Sequence, residues 1–462
     1  MTPICEKLGK YNLWKILVFY LTRCRPQEVA LVGRRAFAPG VYAMLVRFLD
    51  PLPMHERNLF AALGLAAALF AGGAFAGDLD PGTRLDVRIQ DLPKPYATRS
   101  AANPARIVRP PAAAAPKVPT GFRVNVFAAS LADARWLAAA PNGDVFLAEP
   151  SAGRVTLLRD ANGDGAAELT ETFAQGFNQP HGLALRPGYL YVADTERVWR
   201  LAYAAGQTKA EGRPEPVTAK GALGEGTGHW TRNIAFSPNG SRLYVTVGSR
   251  GNIAEEALPR ASVQEFSGDG TLLGTFASGL RNPVGAAFYP GTDDLYVVVN
   301  ERDTLGDGLV PDYLTRLERG GFYGWPYSYL GAHPQPGFAE KRPDLVAKAI
   351  VPDLLFKSHS APLGLAFYRG RQFPKEYQGD AFVALHGSWN AGEPRGYMVV
   401  RVPFKDGRPQ GHYEAFMTGF WAKGTDRAEV WGRPVGLAVA ADGSLLVADD
   451  AGQKIWRVSY RP

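Results

Sequence analysis

One phrase recurs six times between residues 141 and 460 of this 462-residue chain. Each copy consists of a short apolar run, a turn rich in Pro, Gly, Asn or Asp, and a second apolar run that ends in a polar loop. The copies occupy 141–160, 182–203, 233–252, 285–303, 364–389 and 436–460. Alternating apolar residues across such turns predict antiparallel hairpins. Repetition on this scale predicts an all-β fold, a six-bladed β-propeller, whose functional residues should gather at one end of a central channel.

The residues before the repeats carry most of the excess positive charge. The formal net charge is +7, but residues 1–76 hold nine Lys or Arg and four acids, which leaves 42 basic and 40 acidic residues elsewhere. A nearly neutral domain lacks the basic surface that nucleic-acid binding requires. Residues 77–118 are rich in Pro and Ala without any periodicity. We therefore predict an extended linker or strap there, on the surface of a propeller that occupies 119–462.

The leader, residues 1–76, ends in the pattern of a secretory signal peptide. Charged residues at 54–57 precede an apolar run at 59–70 and an Ala-x-Ala sequence that ends at Ala76. The apolar run is too short to span a membrane comfortably. We predict export to the periplasm or secretion, and we suspect that the true start is Met54. Contact with a membrane is expected only if the leader stays uncleaved.

Both cysteines, Cys5 and Cys24, lie in this leader. The mature protein would contain no cysteine, which excludes disulfides, thiolate metal sites and cysteine nucleophiles from it. The sequence also contains no CxxCH motif, so no covalent haem is expected. Electrons from any redox reaction would therefore pass to a separate acceptor.

One predicted hairpin loop carries the ligand spacing of an EF-hand. Oxygen-bearing side chains stand at loop positions 1, 3, 5, 9 and 12, with Gly165 at position 6: Asp160, Asn162, Asp164, Glu168 and Glu171. Calcium prefers such oxygen ligands at this spacing. The flanking residues indicate strands rather than helices, and the same residue types also favour tight turns without a metal. We interpret the loop as a structural calcium site, remote from any catalytic centre.

Seven phrases in register resemble the soluble quinoprotein sugar dehydrogenases, the glucose/sorbosone dehydrogenase family that uses pyrroloquinoline quinone (PQQ). They include FNQPHGLAL, GHWTRNIAFSPNG, LRNPVGAAFYP, RGGFYGWPYSYLG, FVALHGSWN and GRPVGLAVAADG, and together they span 119–460. HGSWN and GRPVGLA are more similar to the sorbosone-type branch. The resemblance implies a propeller with the quinone on top of the channel, a calcium ion that bridges it to backbone carbonyls, and a histidine base. The cofactor would supply the redox chemistry and the protein the positioning.

The resemblance assigns His229, in GHWTRN, as the base that accepts the proton of a substrate hydroxyl. In the glucose-type enzymes an Asp precedes this histidine, whereas here the position is Gly228. We therefore expect either that Trp230, Arg232 or another blade orients the ring, or that the base is weaker.

The same resemblance implies a set of quinone contacts. Arg250 and Asn252 match a segment in which an Arg-Asn pair meets the quinone carbonyls, and Arg433 matches the first of two arginines that bind the cofactor carboxylates. Val435 occupies the position of the second arginine. Another cation could take the role of the missing arginine, and the candidates are Arg232, Lys357 and Arg395. Gln179 could add a contact with the quinone.

The remaining assignments concern the metal and the substrate. Asn300, Glu301, Arg302 and Asp303 match a segment whose backbone carbonyls bind the quinone-linked calcium, and Asp312 matches an acidic position of the same loop. His181 and His386 lie at the ends of predicted inner strands and are expected to face the substrate, as is Trp389. Trp325 is expected to pack within a blade.

The favoured interpretation is an exported PQQ-dependent dehydrogenase that oxidises an aldose, a sorbosone-like sugar or a related polyhydroxy aldehyde or alcohol. Its electrons would pass to an external cytochrome or quinone. One alternative is a calcium-dependent lactonase-type hydrolase, which needs acidic side chains from several blades on one metal. A second alternative is a non-catalytic binding propeller of the cell envelope. The departures from the family pattern at Val435 and Gly228 leave this alternative open. The sequence predicts no oligomeric state.

Overall fold

The computed structural model of this protein describes residues 78–111 and 114–461. The predicted signal peptide and both cysteines lie outside the described residues. No helix in the described part is long and apolar enough to cross a membrane. The regular secondary structure of the described residues is almost entirely β-strand, in agreement with the all-β prediction.

Six antiparallel sheets contain the six repeats. Sheet 1 comprises Trp136–Ala139, Val145–Glu149, Arg154–Arg159 and Leu169–Gln175; sheet 2 comprises Gly182–Arg186, Tyr189–Ala193, Val198–Ala202 and Glu215–Pro216. Sheet 3 comprises Arg232–Phe236, Arg242–Val247, Ser262–Ser267 and Leu272–Ser278, which Gly321–Phe322 extends in parallel. Sheet 4 comprises Asn282–Phe288, Leu295–Asn300, Tyr313–Arg316 and Leu354–Leu355.

The last two sheets recruit strands from the beginning of the described chain. Sheet 5 comprises Pro362–Phe367, Ala381–Leu385, Met398–Val402, Tyr413–Met417 and the N-terminal Arg84–Leu85. Sheet 6 comprises Pro434–Val439, Leu445–Asp449, Lys454–Tyr460 and, as its outermost strand, Phe122–Ala128. Pairing of Phe122–Ala128 with the C-terminal strand joins the two ends of the repeat region.

Short elements connect and cover the sheets. They are the small sheet formed by Arg106–Ile107, Trp421–Lys423 and Glu429–Val430, the hairpins Ser328–Tyr329 with His333–Pro334 and Phe404–Lys405 with Arg408–Pro409, the helix Pro343–Val346, and the 3-10 turns Ile89–Asp91, Pro150–Ala152, Ala339–Lys341 and Lys375–Tyr377.

The first strand of each sheet is its inner strand, and these inner strands form a closed ring. Each contacts the inner strand of the next sheet, and that of sheet 6 contacts that of sheet 1. Glycines of the repeated phrase allow this close approach. A Cβ added at Gly364 would lie 2.1 Å from the carbonyl oxygen of Val435, and one at Gly436 would lie 2.6 Å from that of Arg135.

Apolar side chains from five sheets meet at the centre of the ring. Trp136, Leu183, Val284, Leu363 and Val435 are buried in one cluster. Val435 is fully buried there. The position at which the resemblance led us to look for a second arginine is therefore part of the core, and no charged side chain could replace Val435 without being buried in it.

Candidate functional site

Loops from five of the six sheets surround a cavity of about 210 Å³ at one end of the ring. Each loop either precedes an inner strand or follows the second strand of its sheet. Because these strands are antiparallel, both kinds of loop lie at the same end of the sheet. The polar residues of the lining are Arg135, His229, Arg281, Asn282, Asn300, Glu301, Asp303, Asp312, His359, His386, Trp389, Asn390 and Arg433.

His229 lines this cavity, and one neighbouring residue determines which of its ring nitrogens carries the proton. The ring Nδ1 lies 2.8 Å from the carbonyl oxygen of Ser249 and 3.0 Å from its hydroxyl oxygen. Because a carbonyl only accepts hydrogen bonds, Nδ1 carries the proton and Nε2 keeps a lone pair. Burial and the charge of Arg281 lower the pKa of His229 to about 4. The ring is therefore neutral at physiological pH and able to accept a proton at Nε2.

Ser249, rather than Trp230 or Arg232, orients the catalytic candidate. Ser249 follows the second strand of the same sheet as His229. The expectation that a residue of another blade holds Nδ1 is therefore also wrong. Gly228 is explained by the same loop, because it adopts φ +71° and a Cβ there would lie 2.3 Å from the carbonyl oxygen of Arg250. The backbone of Arg250 thus fills the space that an Asp side chain would need.

Arg250 and Asn252 do not line the cavity, contrary to the sequence-based assignment. The side chain of Arg250 is exposed, and its backbone N–H donates to the carboxylate of Glu256. Asn252 lies behind the cavity wall, where its side-chain oxygen accepts bonds of 2.9 Å from the guanidinium of Arg281 and from the backbone N–H of Asp303.

The Arg-Asn pair that does line the cavity is Arg281 and Asn282. The Arg281 guanidinium is nearly buried and donates to five oxygens: the carbonyls of Asn252, Asn300 and Glu301, and the side chains of Asn252 and Asp303. The side-chain oxygen of Asn282 is buried without a partner among the described residues. The sequence carried the signal for this pair in LRNPVG, one of the phrases on which the resemblance rests.

A second wall of the cavity is cationic and comes from sheets 5, 6 and 1. The Arg433 guanidinium donates to the carbonyls of His386 at 3.0 Å and Gly387 at 2.9 Å. Arg135 forms a 2.5 Å ion pair with Asp450, and its Nε is buried without a partner among the described residues. Sequence reasoning missed Arg135, because nothing in the residues around it distinguishes it from a surface arginine.

Asp450 binds this wall together. His386 Nε2 lies 3.0 Å from both of its carboxylate oxygens. Burial alone would raise the pKa of Asp450, but His386, Arg135 and Arg433 hold it well below its ordinary value. Burial and the charge of Arg433 lower the pKa of His386 to about 4. His386 lines the cavity as the sequence predicted, as a neutral ring anchored by Asp450.

The opposite wall is acidic. Burial raises the pKa of Asp312 to about 7, although its carboxylate accepts backbone N–H bonds from Glu301 and Ala361, both at 2.8 Å. Burial would also raise the pKa of Asp303, but contacts with His359 and Arg281 keep it below its ordinary value. His359 lies 3.3 Å from Asp303 and was assigned no role from the sequence.

Backbone carbonyls of the segment predicted to bind calcium, 300–303, accept hydrogen bonds in this structure. The carbonyls of Asn300 and Glu301 accept hydrogen bonds from Arg281, and that of Asp303 accepts one from Asn252. Arg302 is fully buried, with its guanidinium on Glu301, Gln335 and Ser328. Within residues 78–111 and 114–461, the acids of the cavity do not form a group of three converging ligands.

The three cations proposed to replace the second arginine lie elsewhere. The buried Arg232 guanidinium donates to four carbonyls of the preceding loop, which include that of His229, so it holds this loop rather than a ligand. Lys357 is exposed and outside the cavity lining. Arg395 forms a 2.7 Å ion pair with Asp307.

Of the other residues predicted to contact a ligand, two lie outside the cavity lining and one is part of it. Gln179 is exposed and outside the lining, and His181 is fully buried against the ring of Trp136 at 4.8 Å, so neither is placed to touch a ligand in the cavity. Trp389 lines the cavity with 53% of its surface exposed, as expected of a residue at an entrance. Trp325 is buried and packs as predicted, with its indole N–H on the carbonyl of Asn252.

The EF-hand-like loop forms a separate acidic group in sheet 1. Asp160, Asp164 and Glu168 each offer a carboxylate oxygen within 4.8 Å of the others. The Asn162 side chain donates to Asp164 at 3.1 Å. Glu171 lies outside this group, because the strand has already begun at Leu169 and carries its side chain towards Lys209, 3.8 Å away.

Comparison with known proteins identifies the family of this chain. A family model described as TrAA12-like matches residues 116–310 and 343–461. An uncharacterized protein of Borreliella burgdorferi is 28% identical over 355 residues, which cover 74% of this chain and 90% of that protein. A pyrroloquinoline quinone-dependent pyranose dehydrogenase of Coprinopsis cinerea is 27% identical over 421 residues, covering 73% of this chain and 54% of that enzyme. This chain thus spans about half the length of the pyranose dehydrogenase.

Solved structures support the fold. The holo form of the pyranose dehydrogenase PQQ domain from Coprinopsis cinerea superposes with a TM-score of 0.63 at 22% identity. The match covers 77% of this chain and all of that domain. This likeness establishes an all-β, propeller-like architecture.

Proposed function

This chain belongs to the TrAA12-like family, and we propose that it is a PQQ-dependent dehydrogenase of sugars or related polyhydroxy compounds. The name of the Coprinopsis cinerea relative supports the cofactor and the substrate class. One structural observation carries the proposal: His229, a neutral histidine whose Nε2 has no partner among the described residues, lines the same cavity as Arg135 and Arg433. This combination suits a hydroxyl substrate beside a planar, carboxylate-bearing cofactor.

The residues of the cavity fit such a cofactor. Arg135 has a buried donor atom, Nε, without a partner in the described chain, and Arg433 keeps donors beyond its two carbonyl bonds. Both guanidiniums would bind carboxylates of the quinone. The chemistry that bound PQQ supplies is acceptance of a hydride.

His229 performs the proton transfer. The substrate hydroxyl gives its proton to Nε2, while Ser249 holds Nδ1–H and prevents the ring from turning away. Burial, together with the charge of Arg281, keeps the ring neutral beforehand, and Arg281 adds positive potential where negative charge develops in the transition state. Its five donors are all engaged, so it acts by charge and by holding the loop of Glu301 and Asp303.

The alternatives receive less support. A lactonase-type hydrolase needs acidic ligands from several sheets on one metal, and the cavity carboxylates in the described chain do not converge in this way. A non-catalytic scaffold was suggested by Gly228 and Val435. Both are explained by packing, and Arg135 offers the cation that Val435 does not.

The finer parts of the proposal rest on the sequence. We propose that the six sheets are the blades of a six-bladed propeller, that the leader directs export to the periplasm or beyond, and that an external cytochrome or quinone takes the electrons. Asp160, Asp164 and Glu168 are proposed as ligands of a structural calcium ion.

Reconstitution tests the function directly. The purified protein is titrated with PQQ, and dye reduction is assayed with a panel of aldoses, polyols and sugar aldehydes. His229→Gln should bind PQQ as the wild type does and lose roughly 10²- to 10⁴-fold in kcat, the contribution of a general base. His333→Gln is the matched control, because His333 is exposed, lies outside the cavity lining and hydrogen-bonds the carbonyl of Leu330 through its ring. Equal activity of His229→Gln and wild type would disprove the assignment.

A further inference from the structure

A segment that the sequence suggested to be a linker contacts the loops of the cavity. Residues 96–107, which we call the rim strap, run past sheets 4, 5 and 6. The backbone N–H of Tyr96 donates to the carbonyl of Leu305 at 2.7 Å, and the hydroxyl of Thr98 accepts the backbone N–H of Asp307 at 2.8 Å. These bonds hold the loop that follows Asp303.

Asn103 makes the densest set of contacts in the rim strap. Its backbone N–H donates to the carbonyl of Trp389 at 2.7 Å. Its side-chain amide donates to the carbonyls of Ala391 at 3.0 Å and Asp426 at 2.6 Å, with that of Gly392 at 3.4 Å. One residue thus connects the loop of sheet 5 that carries Trp389 and Asn390 to the loop that leads to Arg433.

The loops held by the strap also hold one another. The carboxylate of Asp307 accepts the backbone N–H of Gly392 at 2.5 Å and the Arg395 guanidinium at 2.7 Å. The Asn390 side chain donates to Asp303. A shift of the loop at Trp389 would therefore disturb the acidic wall of the cavity.

We infer that the side chain of Asn103 is a positioning group: through the carbonyls of Ala391 and Gly392 it fixes the loop that carries Trp389 and, with it, the entrance by which substrate reaches His229. Trp389 is half-exposed, so its place at the entrance depends on the loop backbone that Asn103 holds. The part of this inference that concerns substrate rests on the proposed function. The part that concerns the loop does not.

Hydrogen exchange tests the loop without any cofactor. In the apoprotein, Asn103→Ala should speed amide exchange in 389–395 and 424–428 by roughly tenfold, the effect of losing about one net hydrogen bond. Asn103→Asp should be at least as severe, since a carboxylate would face three carbonyl oxygens. Thr83→Ala is the control, because the Thr83 hydroxyl bonds the carbonyl of Asp80, outside the rim strap. Unchanged exchange in both Asn103 variants would overturn the inference.

Kinetics test the consequence for substrate. With PQQ bound, Asn103→Ala should raise KM for the sugar roughly five- to tenfold, with kcat and PQQ affinity within about twofold of wild type. A parallel loss of kcat, PQQ affinity and thermal stability would indicate general loosening and contradict a positioning role. Should Asn103→Ala fail to fold, Thr98→Val, which removes only the acceptor of Asp307, should still accelerate exchange at 303–307. A wild-type protein that binds no PQQ would refute the proposed function and leave the exchange result valid.

Discussion

Replacing Arg135 by Gln separates the structural account of the cofactor site from the sequence-based one. The sequence suggested Lys357, Arg232 or Arg395 as the second cation for the cofactor, whereas Arg135, and none of these three, lines the cavity with Arg433. Arg135→Gln removes the charge and keeps much of the side-chain volume. Lys357→Gln is the matched control, since it removes a charge outside the lining.

The magnitude follows from the burial of the group. The Arg135 side chain is 14% exposed, so solvent screens little of its interaction with a carboxylate. A charge-assisted hydrogen bond of this kind contributes about 1.5–3 kcal/mol. The dissociation constant for PQQ should therefore rise roughly 10- to 150-fold, because each 1.4 kcal/mol is about a factor of ten. Asp450 keeps its two contacts with His386, so the fold should survive.

Equilibrium titration of the apoprotein with PQQ, followed by absorbance, measures this directly. Arg135→Gln should shift the midpoint by at least tenfold, and Lys357→Gln by less than about twofold. Thermal unfolding of both apoproteins checks that the variants are folded. An unchanged midpoint for Arg135→Gln, or equal shifts for the two variants, would refute the assignment of Arg135 to the cofactor.

Three further predictions follow from single sites. In a ¹³C-histidine NMR titration, the His229 ring should stay neutral from pH 8 to 5 and titrate near its pKa of about 4, and a midpoint near 6.5 would contradict the buried geometry. Because the base must be neutral, its protonation should reduce kcat/KM only below about pH 5. Gly228→Ala should lower the free energy of unfolding by roughly 1–3 kcal/mol more than Gly143→Ala does. Both glycines have positive φ, but of the two only Gly228 would place its Cβ against backbone atoms. Equal losses of the two variants in denaturant titrations would refute this. Calcium should raise the Tm of the wild type and of Glu171→Gln but not of Asp160→Asn in calorimetry, whereas no response of the wild type would exclude the loop as a calcium site.

Local patterns in the sequence predicted local structure well. The alternation of apolar residues predicted the hairpins, because each strand pair is formed within one repeat. Three of the five ligands predicted in the acidic loop converge on one point. Glu171 lies outside this group because the strand begins two residues before it. His229 was chosen through the resemblance, whose phrase GHWTRN places it just ahead of an inner strand.

The parts that the sequence did not predict depend on contacts between sheets. Arg135 and Arg433 are almost 300 positions apart and meet only because sheet 6 closes on sheet 1. The Arg-Asn pair was sought at Arg250 and Asn252, although Arg281 lies directly before an inner strand and its neighbour Asn282 begins that strand. Similarly, no periodicity in the Pro- and Ala-rich segment indicates that Asn103 holds a loop of sheet 5.

The crystal structure of the protein in complex with PQQ would test the central claim most directly. It should show the quinone in the cavity between Arg135 and Arg433, its carboxylates on their guanidiniums, and its redox ring beside Nε2 of His229. A quinone bound elsewhere on the protein, or a cavity that stays empty at saturating PQQ, would contradict the account.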